Sequence, residues 1–470
     1  MVLLKRLGKV EKYLRENQHK IVFYLCVVVG ALLVFRDIIG IPVHKYLLLA
    51  VCSVTMPFLA YGELLCLLAF LFALAFGIPS NYIFIIAALV MMVKCRFKVS
   101  TIVVFSTFVC WDLALTFAYG TASSLTTYLG YFMRLFFFFF ILSEDFKGVD
   151  CRRVVKYFTA GITLFIVIVA AIYLKDNPLS HIINGYTRLG NVSDYWMETG
   201  HVGMIMSSNT NNVAYFCIAG MATALSLFYV EKKPLWLCLF LVIFALGALT
   251  VSKAFYMCAL LQMAVFGYTV IKSKLDRRKK IILAAIFAAV LLVLLLSGVL
   301  NAFLKRFEGL DFFLQDVRSE IFVQYLVAFF TNPAAMLFGG GTFSYHAVYG
   351  IENSVHNGTE QILISYGVFG FVAFITFIVF AIKRQVSSLK KLETKTKLIL
   401  VLPLAMTVLF VQTIQFLNPA DLMLPVIIAV MALKIGTNQK APEEPGFTEL
   451  KETGVKIWKV IAKNCSKKRQ

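Results

Sequence analysis

The chain has 470 residues, 60% of them hydrophobic, a mean hydropathy of +0.82 and a formal net charge of +20. Repeated apolar runs of about 18 residues or more identify a polytopic α-helical membrane protein and exclude a soluble globular domain. An outer-membrane barrel is excluded as well: its segments would alternate, whereas 281–296 is continuously apolar and the phenylalanine run 136–140 has no period of two.

The first apolar run begins near Ile21 behind a basic stretch. No small-residue cleavage site follows at 30–35 and the run continues toward Ile39, so it is read as a retained span rather than a signal peptide. Further spans are predicted near 44–60, 63–78, 81–94, 99–119, 125–142, 155–174, 209–230, 234–250, 254–271, 281–299, 357–382, 398–416 and 420–435, fourteen in all. The second and third are the hardest to separate, because only Tyr61-Gly62-Glu63 marks a turn inside 46–76. The parity of the charged loops favours two spans there.

Charge placement orients these spans. Of 45 Lys and Arg, 36 fall in 1–20, 94–98, 143–156, 231–233, 272–280, 383–397 and 434–470. Every second inter-helix segment thus carries the excess, as expected of cytoplasmic loops. Attraction to anionic headgroups accounts for the net charge without nucleic acid. The predicted organisation is a cytoplasmic basic tail (1–20), a transmembrane catalytic domain (21–435) and a second cytoplasmic basic tail (436–470) with a short amphipathic helix at 455–462. Seven cysteines lie in apolar runs and three in basic segments, which leaves no disulfide framework and no CxxC metal site.

Two outward segments are long, 175–208 and 301–356, and loops of that length usually carry function or disorder. The first holds Tyr186, Arg188, Tyr195 and Trp196. The second holds an apolar-periodic stretch over 312–329, read as an amphipathic helix along the membrane surface. Asn332-Pro333 ends it, and Gly339-Gly340-Gly341 follows as a flexible or close-approach turn. The segment closes on His356-Asn357-Gly358-Thr359-Glu360 and enters an apolar helix. Asn357 reads as its N-cap and Glu360 as the reciprocal acidic partner, which would hold the His356 imidazole at a fixed depth. Either chemistry occurs at this junction or the histidine is a bystander to a capping turn.

His44, His181, His201, His346 and His356 are all outward, but they lack HxH or HxxxH spacing and bring few carboxylates, so no metal is expected. The nine cations outside the basic segments include Arg188, Lys253, Arg306 and Arg318. Such outward cations suit a pyrophosphate, or equally anchor loops to lipid phosphates. Inside the spans, Asp112 and Arg134 are expected to pair across neighbouring helices, and Glu63 to lie at an interface. Buried acids do not recur from span to span, so a proton- or sodium-coupled transporter lacks its relay. Walker A, GxGxxG and GxSxG patterns are absent, which argues against cytosolic ATP chemistry.

Taken in order, Leu249-Thr250-Val251-Ser252-Lys253, Arg318, Asn332-Pro333, Phe338-Gly339-Gly340-Gly341-Thr342-Phe343, His356-Asn357, Tyr366-Gly367 and Phe369-Gly370 resemble the bacterial O-antigen polymerase and O-antigen ligase superfamily of membrane glycosyltransferases. The likeness spans roughly 186–380. It implies a metal-independent, cofactor-free inverting transfer on the outer face of the cytoplasmic membrane, with undecaprenyl-pyrophosphate-linked oligosaccharides as substrates. A chain-length regulator and a flippase are its candidate partners. By the same resemblance Arg188 and Arg318 match arginines thought to bind the pyrophosphate, and His356 matches a proposed acid/base. Lys253 stands where the family often has arginine, and a lysine cannot make the planar two-point contact. The expected activity is a polysaccharide polymerase for O-antigen, capsule or exopolysaccharide. The ligase-type transfer of finished chains stays open beside it, as does a flippase or exporter, although a transporter would put its charges within spans of both halves of the bundle.

Overall fold

The computed structural model describes residues 17–74, 80–119, 125–144, 146, 148–184, 186–190, 210–272, 276–296, 298–299, 304, 317–390, 392–417 and 423–436. Most of both basic tails, the predicted helix at 455–462, Tyr195, Trp196, His201, Arg306 and the start of the predicted surface helix lie outside the described residues.

Among the described residues the regular structure is all helical. In lipid no water is at hand to satisfy a backbone amide, so an apolar run must close its hydrogen bonds within itself. The helices in chain order are α1 (Gln18–Val34, continued by a π turn Phe35–Ile39), α2 (Lys45–Thr55), α3 (Tyr61–Leu74), α4 (Ser80–Lys94), α5 (Val99–Ala118), α6 (Leu125–Ser143), α7 (Cys151–Asp176), α8 (Leu179–Ile183), α9 (Thr210–Glu231), α10 (Pro234–Ala248), α11 (Lys253–Ile271), α12 (Arg277–Leu296), α13 (Val317–Thr331), α14 (Pro333–Phe338), α15 (Tyr345–Tyr349), α16 (Gly358–Val386), α17 (Thr394–Val411) and α18 (Leu424–Ala432). Eight are long and apolar enough to cross a membrane: α1 with its π turn, α5, α6, α7, α9, α11, α16 and α17. Of the other six expected spans, five hold helices of 15 residues or fewer, α2, α3, α4, α10 and α18, and the sixth holds α12 of 20 residues, which is not among the eight. Spans two and three are separate helices, and Ala60 at the junction donates its N–H to Gln18 Oε1 (2.7 Å).

Helices α6 and α9 form the centre. Residues 135–143 of α6 are buried all round, as are 213–227 of α9, so these apolar runs face protein on every side. The phenylalanine run meets neighbours ring to ring: Phe138 stacks on Phe374 of α16 at 5.4 Å, and Phe139 lies 4.7 Å from Phe377.

Hydrogen bonds sort the helix ends into two sets. At one end, Lys94 Nζ donates to the Leu59 carbonyl (2.7 Å), Lys98 Nζ to that of Ser143 (3.2 Å), Arg152 to that of Ile435 (3.1 Å), and Arg384 to those of Leu142 and Glu144 (2.7 and 2.8 Å). Arg153 pairs with Glu63, and Lys156 with Glu231 at 2.5 Å. The described residues of the basic segments 94–98, 143–156, 231–233, 383–397 and 434–436 therefore gather at one end of the bundle, several of them capping carbonyls that helix C-termini leave open. The other end carries 40–44, 112–119, 125–131, 176–184, 186–190, 248–253, 338–361 and 411–417.

Candidate functional site at the end opposite the basic segments

Two groups of residues define the site, and each is positioned by local backbone chemistry. The first surrounds the start of α16. Asn357 caps the helix, its Oδ1 accepting from the Thr359 and Glu360 amides at 3.0 and 3.1 Å. A Cβ on Gly358 would stand 2.5 Å from Val411 Cγ1 and 2.7 Å from Phe416, so the helix start is pressed onto the end of α17. Gln361 Oε1 accepts the Phe416 and Leu417 amides (2.6 and 2.8 Å) and locks the same contact. His356, half-buried, immediately precedes the capping Asn357.

Glu360 departs from expectation. It makes no reciprocal bond to Asn357, and the Asn357 side chain satisfies the helix amides alone. The carboxyl is buried instead, at 4% exposure, and its Oε1 has no hydrogen-bond partner. Five residues on, the hydroxyl of Ser365 is also buried without a partner.

Over α16 lies the layer α13–α15. Ile321, Tyr325 and Phe329, spaced at helical turns, pack on Tyr345, Val355 and Ile364. The apolar period of α13 is thus spent on protein, while Phe322, Val323, Val327 and Phe330 of its other faces are exposed. Tyr325 donates to the carbonyls of Asn353 (2.8 Å) and Ile351 (3.2 Å), and its oxygen is 3.1 Å from His346 Nδ1. Burial, with Tyr345 and Glu360 beside it, pushes the Tyr325 phenol well up, and burial takes that of Tyr345 to about 12. Both phenols stay neutral at ordinary pH. The strap that delivers His356 is tied down by them, and His346 is a member of that strap. Arg318 stands exposed in the first turn of α13.

Gly339-Gly340-Gly341 resolves as a close approach. Helix α16 breaks at Gly367 (φ 65°, ψ −173°), and the amides of Gly340 and Gly341 donate to the carbonyls of Ile364 and Ser365 at 2.8 Å each. A Cβ on Gly339 would lie 2.3 Å from the Ser365 oxygen. The next residue, Thr342, reaches Asp112 of α5. Asp112 accepts from Thr342 N (2.7 Å) and Oγ1 (3.2 Å), Tyr366 OH (2.9 Å) and Tyr131 OH (3.2 Å). Arg134 is not among its partners; it donates to Asn81 Oδ1 (2.7 Å) and lies over the Phe84 ring (4.6 Å). The expected Asp112–Arg134 pair is therefore overturned, because hydroxyls and an amide already fill the carboxylate. No simple sequence signal marks Thr342, Tyr131 and Tyr366 as its partners, although the Tyr366-Gly367 step at the helix break is a pointer in retrospect.

The second group is Arg188 and Lys253. The amide of Leu189 donates to the Leu249 carbonyl (3.0 Å), which sets the residue after Arg188 against the turn that leads to Lys253. Gly190 (φ +85°) packs on Val213 and Thr210, and Ser252 donates to Asn211 Oδ1 (3.2 Å), so the start of α9 supports both. Val251 adopts φ 47°, a left-handed conformation rare for a β-branched residue and a mark of local constraint. The two groups are bridged by α17: Phe410 lies 5.6 Å from Tyr215 of α9, and Val411 touches Gly358.

A half-buried imidazole and a pair of cations at one end of a membrane bundle can together accept a proton and hold an anion. His44 caps its own helix and His181 meets the Tyr186 ring edge to face; no group of three metal-ligating side chains occurs among the described residues. No protein-family model, curated protein or solved structure matches the chain.

Proposed function

We propose that the protein is a polysaccharide polymerase of the bacterial cytoplasmic membrane, crossing it fourteen times with both termini in the cytoplasm. It joins undecaprenyl-pyrophosphate-linked oligosaccharide repeat units on the outer face. The observation that carries this reading is the Leu189 to Leu249 hydrogen bond, which sets Arg188 beside the Lys253 turn at the same end of the bundle as His356. The basic segments stand at the opposite end, which the positive-inside rule assigns to the cytoplasm.

In this mechanism an acceptor sugar hydroxyl attacks the anomeric carbon of the growing chain as the bond from that carbon to the pyrophosphate oxygen breaks, with inversion. His356 takes the hydroxyl proton. Arg188, Arg318 and Lys253 neutralise the departing undecaprenyl pyrophosphate, whose charge rises as the bond breaks. Purified protein incubated with a lipid-linked repeat unit is expected to yield a ladder of longer lipid-linked products. A single transfer to a different acceptor would make it a ligase, and translocation without any product would make it a flippase.

A further inference from the structure

We propose that a groove between α5, α6 and α16 at the basic end binds an anionic phospholipid, with its phosphate at the mouth and an acyl chain along the wall. The groove encloses about 460 Å³. Lys98, Ser100 and Lys383 line it together with Phe377 and Phe380.

Three observations converge on that ligand. Helix α5 begins without a side-chain cap: the Lys98 carbonyl accepts from Thr101 and Ile102 (3.0 and 3.1 Å), and the amides of Val99 and Ser100 have no intrahelical acceptor. An anion at the mouth meets the positive end of a 20-residue helix. The cations are the second observation. Arg384 is committed to the Leu142 and Glu144 carbonyls, whereas Lys98 Nζ spends one of its three donors on Ser143 and Lys383 is exposed. The wall is the third. Phe380 is 65% exposed, Val99 74% and Val103 57%, so apolar surface runs from the groove onto the outer faces of α5 and α16. A soluble anion gains nothing from that surface, while a lipid tail covers it. Basic pockets between helices on the cytoplasmic side of a bilayer suit such headgroups. The proposal holds whether or not the opposite end polymerises sugars.

The test uses full-length protein, delipidated in a neutral detergent and titrated with dioctanoyl phosphatidylglycerol, dioctanoyl phosphatidylcholine and inorganic phosphate, with adducts counted by native mass spectrometry. One phosphatidylglycerol per chain is expected to bind about tenfold tighter than phosphatidylcholine, and Lys383→Gln to weaken it roughly tenfold. Lys98→Gln should weaken it similarly. Arg277→Gln with Arg278→Gln removes two charges at another basic helix start and should change nothing. Phosphate binding as tightly as phosphatidylglycerol would make this a soluble-anion site and overturn the lipid occupant. Indifference to Lys383→Gln, or equal weakening by the Arg277/Arg278 pair, would reduce the effect to general surface charge and overturn it too. Lys383 is exposed, so its substitution does not threaten the fold.

Discussion

Asp112 and Glu360 are both buried carboxyl groups at the same end of the bundle, yet their surroundings are opposites. Four donors converge on Asp112, from α6, from α16 and from the strap after Gly341. Glu360 has an oxygen with no donor at all. A buried carboxylate surrounded by hydrogen bonds is a fastening, and it gains from staying where it is. One without them costs free energy that some other benefit must offset. The contrast separates a clamp on α5 from an unsatisfied group in the first turn of α16.

The largest expected effect sharpens the unsatisfied side of this contrast. His356→Gln should lower elongation by about 10² to 10⁴-fold with substrate binding retained, because it removes proton transfer and little else. Elongation that survives His356→Gln but vanishes in Glu360→Gln would move the base to the carboxylate. Next come the cations. Arg188→Ala or Arg318→Ala should each cost on the order of 10² to 10³ in rate, about 2 to 4 kcal/mol, with lysine restoring only part because it keeps charge and loses the fork. Near-normal polymer from both alanine variants would return these arginines to loop anchoring. On the clamp side, Asp112→Ala leaves two phenols, a hydroxyl and an amide without their acceptor, and should destabilise by about 3 kcal/mol. Thermal unfolding of the detergent-solubilised protein reads this directly, and an unchanged Tm would break the comparison. The smallest effect has the opposite sign: Glu360→Gln removes a buried carboxyl whose Oε1 has no donor and should stabilise by roughly 1 kcal/mol, a rise of about 1–2 °C in Tm.

Much of the site was legible before the fold was known, for a definable reason. The Asn357 cap, the helix end at Asn332-Pro333 and the close approach at Gly339-Gly340-Gly341 are set by chemistry within a few residues, whereas the new helix that Asn332 caps was not expected. The half of the capping box assigned to Glu360 failed because the same spacing also lets a carboxyl turn inward and be buried. The Asp112–Arg134 pair failed for a related reason: adjacency of two helices in sequence does not tell which faces they present to one another.

By itself the sequence determined the all-helical membrane class, the long apolar segments that become helices and the separation of basic from non-basic loops, but not the short helices α8, α14 and α15. These follow from averages over runs as long as the bilayer is thick and from backbone bonds closed within one segment. Only the tertiary structure decided that Thr342 and Tyr366, 230 and 254 residues from Asp112, would meet it, that Arg188 would lie beside the Lys253 turn, and that Glu360 would be left without a donor. Helices that are apolar on every side, such as α6 and α9, carry little periodicity to fix their rotation, so the partners of their few polar groups are chosen by packing against the rest of the bundle.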